Sequence, residues 1–219
     1  MNPFPFFETL KANNNREWFA KHRGEYDEIR AWWLAGMERV LAVVSESWHE
    51  VRYSNVKTFR IYRDTRFSLD KTPYKTHIGS IIAPPSSHDV HSPGVYLEVG
   101  IPDSDSGVFA GMWCPESNDL KKLRRAIVDN IEEWEEIVKS PELVRFYPEW
   151  FGERLKTAPK GWPKNHPQIE YLQLKHLGRY SPMTRSQFMS DNWTDLMAER
   201  IIAAVPLLRF LDYSLHEDV

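Results

Sequence analysis

The stretch "GVYLEVGIPDSDSGVFAGMW", residues 94–113, decides the fold. Its first half alternates with a period of two. Val95, Leu97, Val99 and Ile101 fall on one side, and Tyr96, Glu98 and Gly100 on the other. A strand sends successive side chains to opposite faces, so this pattern predicts a strand with one buried face. "PDSDSG" then supplies turn chemistry. "GVFAGMWCP" reads as a second strand, and the pair predicts an antiparallel hairpin.

Moving towards the N-terminus, "YKTHIGSIIA" and "KTFRIYRDTRF" also read as strands. Four strands over residues 56–114, with short or loop-like connections, predict an antiparallel sheet of about four strands. One face should be packed by long helices and the other partly open. Before the sheet, Phe19, Tyr26, Ile29, Trp33, Met37, Val40, Val44 and Trp48 recur at helical spacing, which predicts one long helix over residues 17–48. Asn14 with Glu17 three residues on has a capping-box pattern, and Gly24 and Gly36 are weak points. After the sheet, Leu120, Leu123, Ile127, Ile131, Trp134 and Val138 form a second stripe, with Ser117 as cap and Pro141 as stop. Residues 148–167, rich in Pro, Gly and Lys, give no element. A short helix or strand is expected over 171–180. A last helix should begin near Ser190 and kink or end at Pro206. Helix, then strands, then helices indicates a single α+β domain over 1–219, with a helical and loop-rich part from 116 onward.

Composition narrows the function classes. At 219 residues the chain can bury one main core without staples. Its formal charge is −3, which argues against broad binding of nucleic acid or anionic membranes. One cysteine, Cys114, excludes an internal disulfide and Cys-based zinc frameworks, and it fits a reducing compartment. The N-terminus has no basic leader and no long apolar run, and no stretch approaches the ~20 apolar residues of a membrane span. A cytoplasmic protein is expected. The nine Trp, nine Tyr and eleven Phe sit mostly at core spacing.

One stretch stands out chemically. "FRIYRDTRFSLDKTPYK" begins at Phe59. From Lys57 to Lys75 there are six basic and two acidic residues, a local surplus of four in a net acidic chain. Read as a strand, one face carries Phe59, Ile61, Arg63, Thr65 and Phe67, with the apolar members directed to the helices. The other carries Arg60, Tyr62, Asp64, Arg66 and Ser68, so Asp64 sits between two arginines beside Tyr96 and Glu98. Such a row is either an ion-pair ladder or an anion site, because guanidinium forks fit phosphate and carboxylate. Asp70, Lys71, Tyr74 and Lys75 then form a turn stiffened by Pro73.

The same stretch carries a resemblance. It resembles the signature R-I-x-R-D-x-R-F-S-x-D-K-x-P-Y-K of a widespread bacterial and fungal family of conserved hypothetical proteins, a domain of unknown function. Arg60, Arg63, Asp64, Arg66, Phe67, Ser68, Asp70, Lys71, Pro73, Tyr74 and Lys75 match it, and Leu69 stands where a basic residue is common. The likeness extends to "NNNREWF", to residues 94–113 and to "LKTAPKGWPKNHPQIEYL". It implies one full-length α+β domain, and it supplies no activity, cofactor, partner or catalytic residue.

Other motifs read more plainly. His88 and His91 lie in a Pro/Ser-rich loop and are expected to be solvated; no metal is expected. "DSDSG" lacks the order of a calcium loop. Cys114 is expected as a semi-buried thiol at a strand end; the alternative is a nucleophile activated by His77 or His176, which nothing in the sequence places beside it. Lys160, Trp162, Lys164 and His166 form either a contact loop or a pinned one.

The favoured function is binding of a small anionic ligand bearing phosphate or carboxylate, through Arg60, Arg63, Arg66, Lys71 and Lys75. The alternative is an enzyme with Asp64 or Glu98 as acid or base, Tyr62 or Tyr74 as donor and arginines stabilising negative charge. A nucleic-acid module conflicts with the acidic total. A structural ladder in an interaction domain leaves the surplus unexplained.

Overall fold

The structure is a computed structural model that describes residues 1–85 and 92–216. His88 and His91 therefore lie outside the described residues. In chain order the elements are α1 (Phe4–Ala12), α2 (Arg16–Lys21), α3 (Arg23–Ser47), β1 (Lys57–Thr58), β2 (His77–Ile82), β3 (Gly94–Gly100), β4 (Gly107–Met112), α4 (Ser117–Asp129), α5 (Ile131–Val138), α6 (Pro141–Phe146), α7 (Ile169–Leu172), β5 (Leu177–Pro182), α8 (Arg185–Phe188) and α9 (Trp193–His216). The sheet runs in the order β1-β2-β3-β4-β5, every pair antiparallel. The α+β class holds, with five strands in place of four.

Alternation sets the two faces of the sheet. Ile78, Ile82, Val95, Leu97, Val99, Val108, Ala110, Met112 and Leu177 are buried against the helices, chiefly α3 and α9. The stripe on α3 is the one its spacing predicts: Tyr26, Ile29, Trp33, Met37, Val40 and Val44 are all buried. At Gly36 a Cβ would lie 2.1 Å from the ring of Trp193, so the glycine lets α9 seat its first aromatic against α3. The Trp33 indole N–H donates to Ser80 Oγ at 2.7 Å, tying α3 to the middle of β2.

Several expected boundaries move. The N-terminal helix is two helices, because the backbone leaves helical geometry at His22, whose ring stacks on Trp18. Asn15 caps α2 by accepting from Trp18 N at 2.9 Å. Asn14 is used differently: its amide nitrogen donates to Tyr74 O and its oxygen accepts from Tyr74 N. A further helix, α1, precedes both, with Phe4, Phe6, Phe7 and Leu10 buried. The helix after the sheet breaks at Asn130, and Ser117 is its first residue rather than its cap. Pro141 opens α6, a role suited to a residue without an N–H, and Ser140 caps it. Pro206 lies inside α9 and does not end it. No described helix is long and apolar enough to cross a membrane.

The largest correction concerns the charged stretch. Strand β1 stops at Thr58, and residues 59–75 fold back on themselves. Tyr62 bridges Tyr74, Arg63 N–H donates to Pro73 O at 2.9 Å, and Lys75 N–H donates to Ile61 O at 2.8 Å. The tip projects into solvent, with Phe67 96% exposed and Leu69 fully so. Of the face expected to meet the helices, only Ile61 is buried.

Candidate functional site

Because the strand ends early, the row Arg60, Asp64, Arg66 does not form. Asp64 turns its hydrogen bonds to Arg66. It accepts from Arg66 Nη2 at 2.7 Å, from Nε at 3.0 Å and from the backbone N at 3.2 Å. These bonds hold its carboxyl down at about 2, so it is an ionised turn-former and a poor general base near neutrality. Arg60 is exposed; it makes no hydrogen bond to Asp64 and helps lower that carboxyl only through its charge. Arg63 donates to Asp70 Oδ2 at 2.5 Å and to the Thr72 hydroxyl. Asp70 also takes the Thr72 N–H, and its carboxyl is likewise held at about 2. Tyr74 is a core residue, stacked on Phe19 with ring centroids 4.1 Å apart.

Two separate constellations replace the single row. The first is a cleft of about 510 Å³ lined by Arg16, Tyr62, Arg63, Thr65, Lys71, Pro73 and Tyr74. Arg16 opens α2, and the Asn14 clamp on Tyr74 brings α2 against the folded-back segment. Lys71 Nζ donates to Thr65 O at 2.8 Å. Among the described residues, neither Arg16 nor Lys71 has a carboxylate within ion-pair distance. Arg16 lies in "NNNREWF", and nothing in its local sequence sets it apart as a cleft residue.

The second constellation lies on the outer face of the sheet. Glu98 is central. Register places Gly79 opposite it on β2 and Gly107 opposite it on β4. Tyr96 leans across Gly79, where a Cβ would sit 2.5 Å from its hydroxyl, and that hydroxyl donates to Glu98 Oε2. Tyr180 leans across Gly107, with its hydroxyl 3.0 Å from a Cβ there. His77 Nδ1 lies 3.4 Å from Glu98 Oε1. Lys75 is half-buried, its ammonium 5.2 Å from the centre of the Phe59 ring, and Phe59 in turn meets Tyr96. The alternation in residues 95–101 had already placed Tyr96 and Glu98 on one face. The convergence of Lys75, His77 and Tyr180 needed the register.

Burial dominates the electrostatics here. It pushes the Glu98 carboxyl up to about 7, with Asp105 adding to the rise and the Tyr96 bond and Lys75 opposing it. Burial and the Lys75 charge push His77 down to about 4. Burial also lowers the Lys75 ammonium and raises the Tyr96 and Tyr180 phenols. A carboxyl raised above its unfolded value favours folding while protonated, and that advantage disappears as pH climbs from about 4.5 through about 7. Glu98→Gln should therefore gain stability relative to the parent across that window, on the order of 2 kcal/mol, and stay level above it. Urea unfolding of both proteins at pH 5 and pH 8 measures the difference. An equal gap at the two pH values would contradict the shift.

The remaining candidates stay apart. Cys114 is exposed, not semi-buried; its backbone N–H donates to His176 Nδ1 at 3.0 Å, and His176 stacks on Trp113. His77 is on the outer sheet face among the Glu98 group. Residues 103–105 form a short 3-10 turn whose Asp103 pairs with Arg185. Trp162 packs edge-on to His166, with Lys160 and Lys164 exposed beside them.

The fold and these sites together define an α+β protein with an open antiparallel sheet, helices on one face, and polar clusters on the other face and at its edge. The chain belongs to the family described as conserved hypothetical protein (DUF2461), whose family model matches residues 2–210. A search of curated proteins and one of solved structures found no match.

Proposed function

We propose that this protein binds a small phosphate- or carboxylate-bearing ligand, and that the ligand sits in the cleft of Arg16, Arg63 and Lys71 rather than along a strand. The observation that carries the reading is the cleft wall itself: three cationic side chains and no carboxylate among its lining residues. Asp70 compensates Arg63 from its own side, so the uncompensated charge belongs to Arg16 and Lys71. A lysine ammonium has three donors, and one bond to Thr65 O leaves two for an anion. The Arg63 fork is fixed in place by Asp70 and Thr72, which limits the ordering cost on binding. The tip pairs Asp64–Arg66 and Arg63–Asp70 fit a structural ladder as far as they go, but they involve only two of the six basic residues. The acidic total charge still counts against a nucleic-acid footprint. A reducing, cytoplasmic setting suits the exposed thiol of Cys114.

Thermal melts with inorganic phosphate, glucose 6-phosphate, AMP and citrate test the proposal. A compound present at about 100 times its Kd should stabilise the fold by roughly 2.7 kcal/mol. Arg16→Gln and Lys71→Gln, both at exposed positions, should each weaken binding at least tenfold without lowering the melting temperature of the free protein. If none of the four compounds shifts the melt, the proposal fails.

A further inference from the structure

We propose that the outer face of the sheet carries a second, separate site: a proton-transfer centre for small neutral carbonyl compounds, with Glu98 as the acid–base group. The first argument is construction. Both cross-strand neighbours of Glu98 are glycines: the Tyr96 phenol fills the space above Gly79, and beside Gly107 a Cβ would meet the β5 backbone at Ser181 O, 2.2 Å away, and the Tyr180 hydroxyl at 3.0 Å. Gly100, opposite His77, leaves no side chain at the next position along the face; a Cβ there would lie 2.4 Å from the His77 backbone. A carboxyl placed only for solubility would not need this setting.

The second argument is the division of labour between the oxygens. Oε2 accepts the Tyr96 hydroxyl, which fixes the carboxyl plane. Oε1 faces His77 Nδ1 at 3.4 Å, beyond a good hydrogen bond, and keeps a lone pair free for a proton. The Tyr180 hydroxyl is buried and has no hydrogen-bond partner among the described residues. A buried donor of that kind calls for an explanation, and among the described atoms left so it is the one on this face; a further group placed here would supply its partner. The Glu98 side chain keeps 14% and the His77 side chain 26% of their surface open, so the approach is along the His77 edge.

The charged and titratable groups facing Glu98 are Lys75 ahead of β2, His77 on β2, Tyr96 on its own strand, Asp105 in the β3–β4 turn and Tyr180 on β5. Lys75 and Glu98 already offset one another, which favours an uncharged substrate. Phe59 and Tyr96 pack on one another and give the face an aromatic border.

The step balances without any further reactant. Ionised Glu98 takes a proton from the carbon next to a carbonyl. The C–H electron pair becomes the new C=C bond as the carbonyl pair moves onto oxygen, and the resulting enolate charge faces the Lys75 ammonium. Reversal returns a proton to carbon. In heavy water the returned isotope is deuterium, which gives the readout.

Proton NMR of hydroxyacetone, 2-butanone and cyclohexanone in D2O, with the full chain, follows the loss of the α-proton signals. Exchange should be accelerated and should rise with pH as Glu98 ionises. Glu98→Gln should reduce the acceleration by about 100-fold or more. Tyr96 is a positioning residue, and Tyr96→Phe should move the midpoint of the pH–rate profile upward, because it removes a bond that favours the ionised form. Should Glu98→Gln not fold, Lys75→Met provides the same comparison by removing the charge that faces the enolate. Exchange of all three ketones at the rate of buffer, or equal rates in the parent and the folded variant, would overturn the proposal. Neither result bears on the cationic cleft, whose ligands are read by thermal shift.

Discussion

Gly111→Ala is expected to cost this protein about 4 kcal/mol or more. Two independent effects act together. Gly111 has φ +133°, a backbone region that side-chain-bearing residues rarely adopt. Its added Cβ would lie 2.3 Å from Gly178 Cα and 2.3 Å from Leu177 O. Both contacts are backbone of β5, which cannot rotate away as a side chain can. Gly111 and Gly178 are cross-strand partners, so relief requires β4 and β5 to separate. Gly24 supplies the contrast. It lies in the first turn of α3 with nothing within 4 Å of a Cβ, and Gly24→Ala should stabilise by roughly 0.5–1 kcal/mol. Urea unfolding measures both. A Gly111→Ala protein within about 1 kcal/mol of the parent would mean that the two strands do not approach as described.

The second large effect is expected at Arg179. This residue lies on the core-facing side of β5 and is 5% exposed, with no carboxylate partner among the described residues. Its Nη1 donates to Tyr147 O at 2.8 Å and its Nη2 to Val138 O at 2.9 Å. Val138 is the last residue of α5, and Tyr147 follows the last residue of α6. One guanidinium thus satisfies carbonyls at two helix C-termini, where the helix dipole favours positive charge. Its carbon also lies 4.4 Å over the Trp150 ring. Arg179→Met keeps the length and removes the charge. Relief of the buried charge acts in favour of the variant. The two carbonyls stay behind without partners, and each such group costs about 1–3 kcal/mol. The carbonyls should win, for a net loss of about 3 kcal/mol and a fall in melting temperature on the order of 10 °C. A neutral or stabilising exchange would show that relieving the charge outweighs those bonds.

These two residues also show why part of the fold was not legible. Nothing in "LGRYSP" marks its arginine as buried, since arginine is almost never buried without a partner. Its partners are carbonyls 32 and 41 residues away, left open where α5 and α6 end. The strand expected over residues 57–67 failed for a related reason. Its alternation is genuine, but a strand needs a neighbour to bond to, and beyond the first few residues residues 73–75 take up that role. Asp64 then found its partner two residues away rather than across a face. By contrast, β2, β3 and β4 and the stripes of α3 and α4 were legible, because one face of each meets the core along its length.

The candidate sites divide in the same way. Tyr96 and Glu98 on one face, and cations gathered between Lys57 and Lys75, were readable from spacing and charge. The addition of Arg16 depended on Asn14 clamping a backbone sixty residues distant. The meeting of Lys75, His77 and Tyr180 at Glu98 depended on strand register and on glycines at the facing positions.

By itself the sequence determined the α+β class, the central antiparallel strands, the main helical stripes and the segment where positive charge concentrates. Those follow from periodicity and composition, which are local properties of the chain. Tertiary structure alone decided which cations share a cleft and which carboxyl is buried among phenols. It also decided which arginine serves as a helix cap. Those depend on which distant backbones pair, and on where the absence of a side chain lets a neighbour's ring lie down.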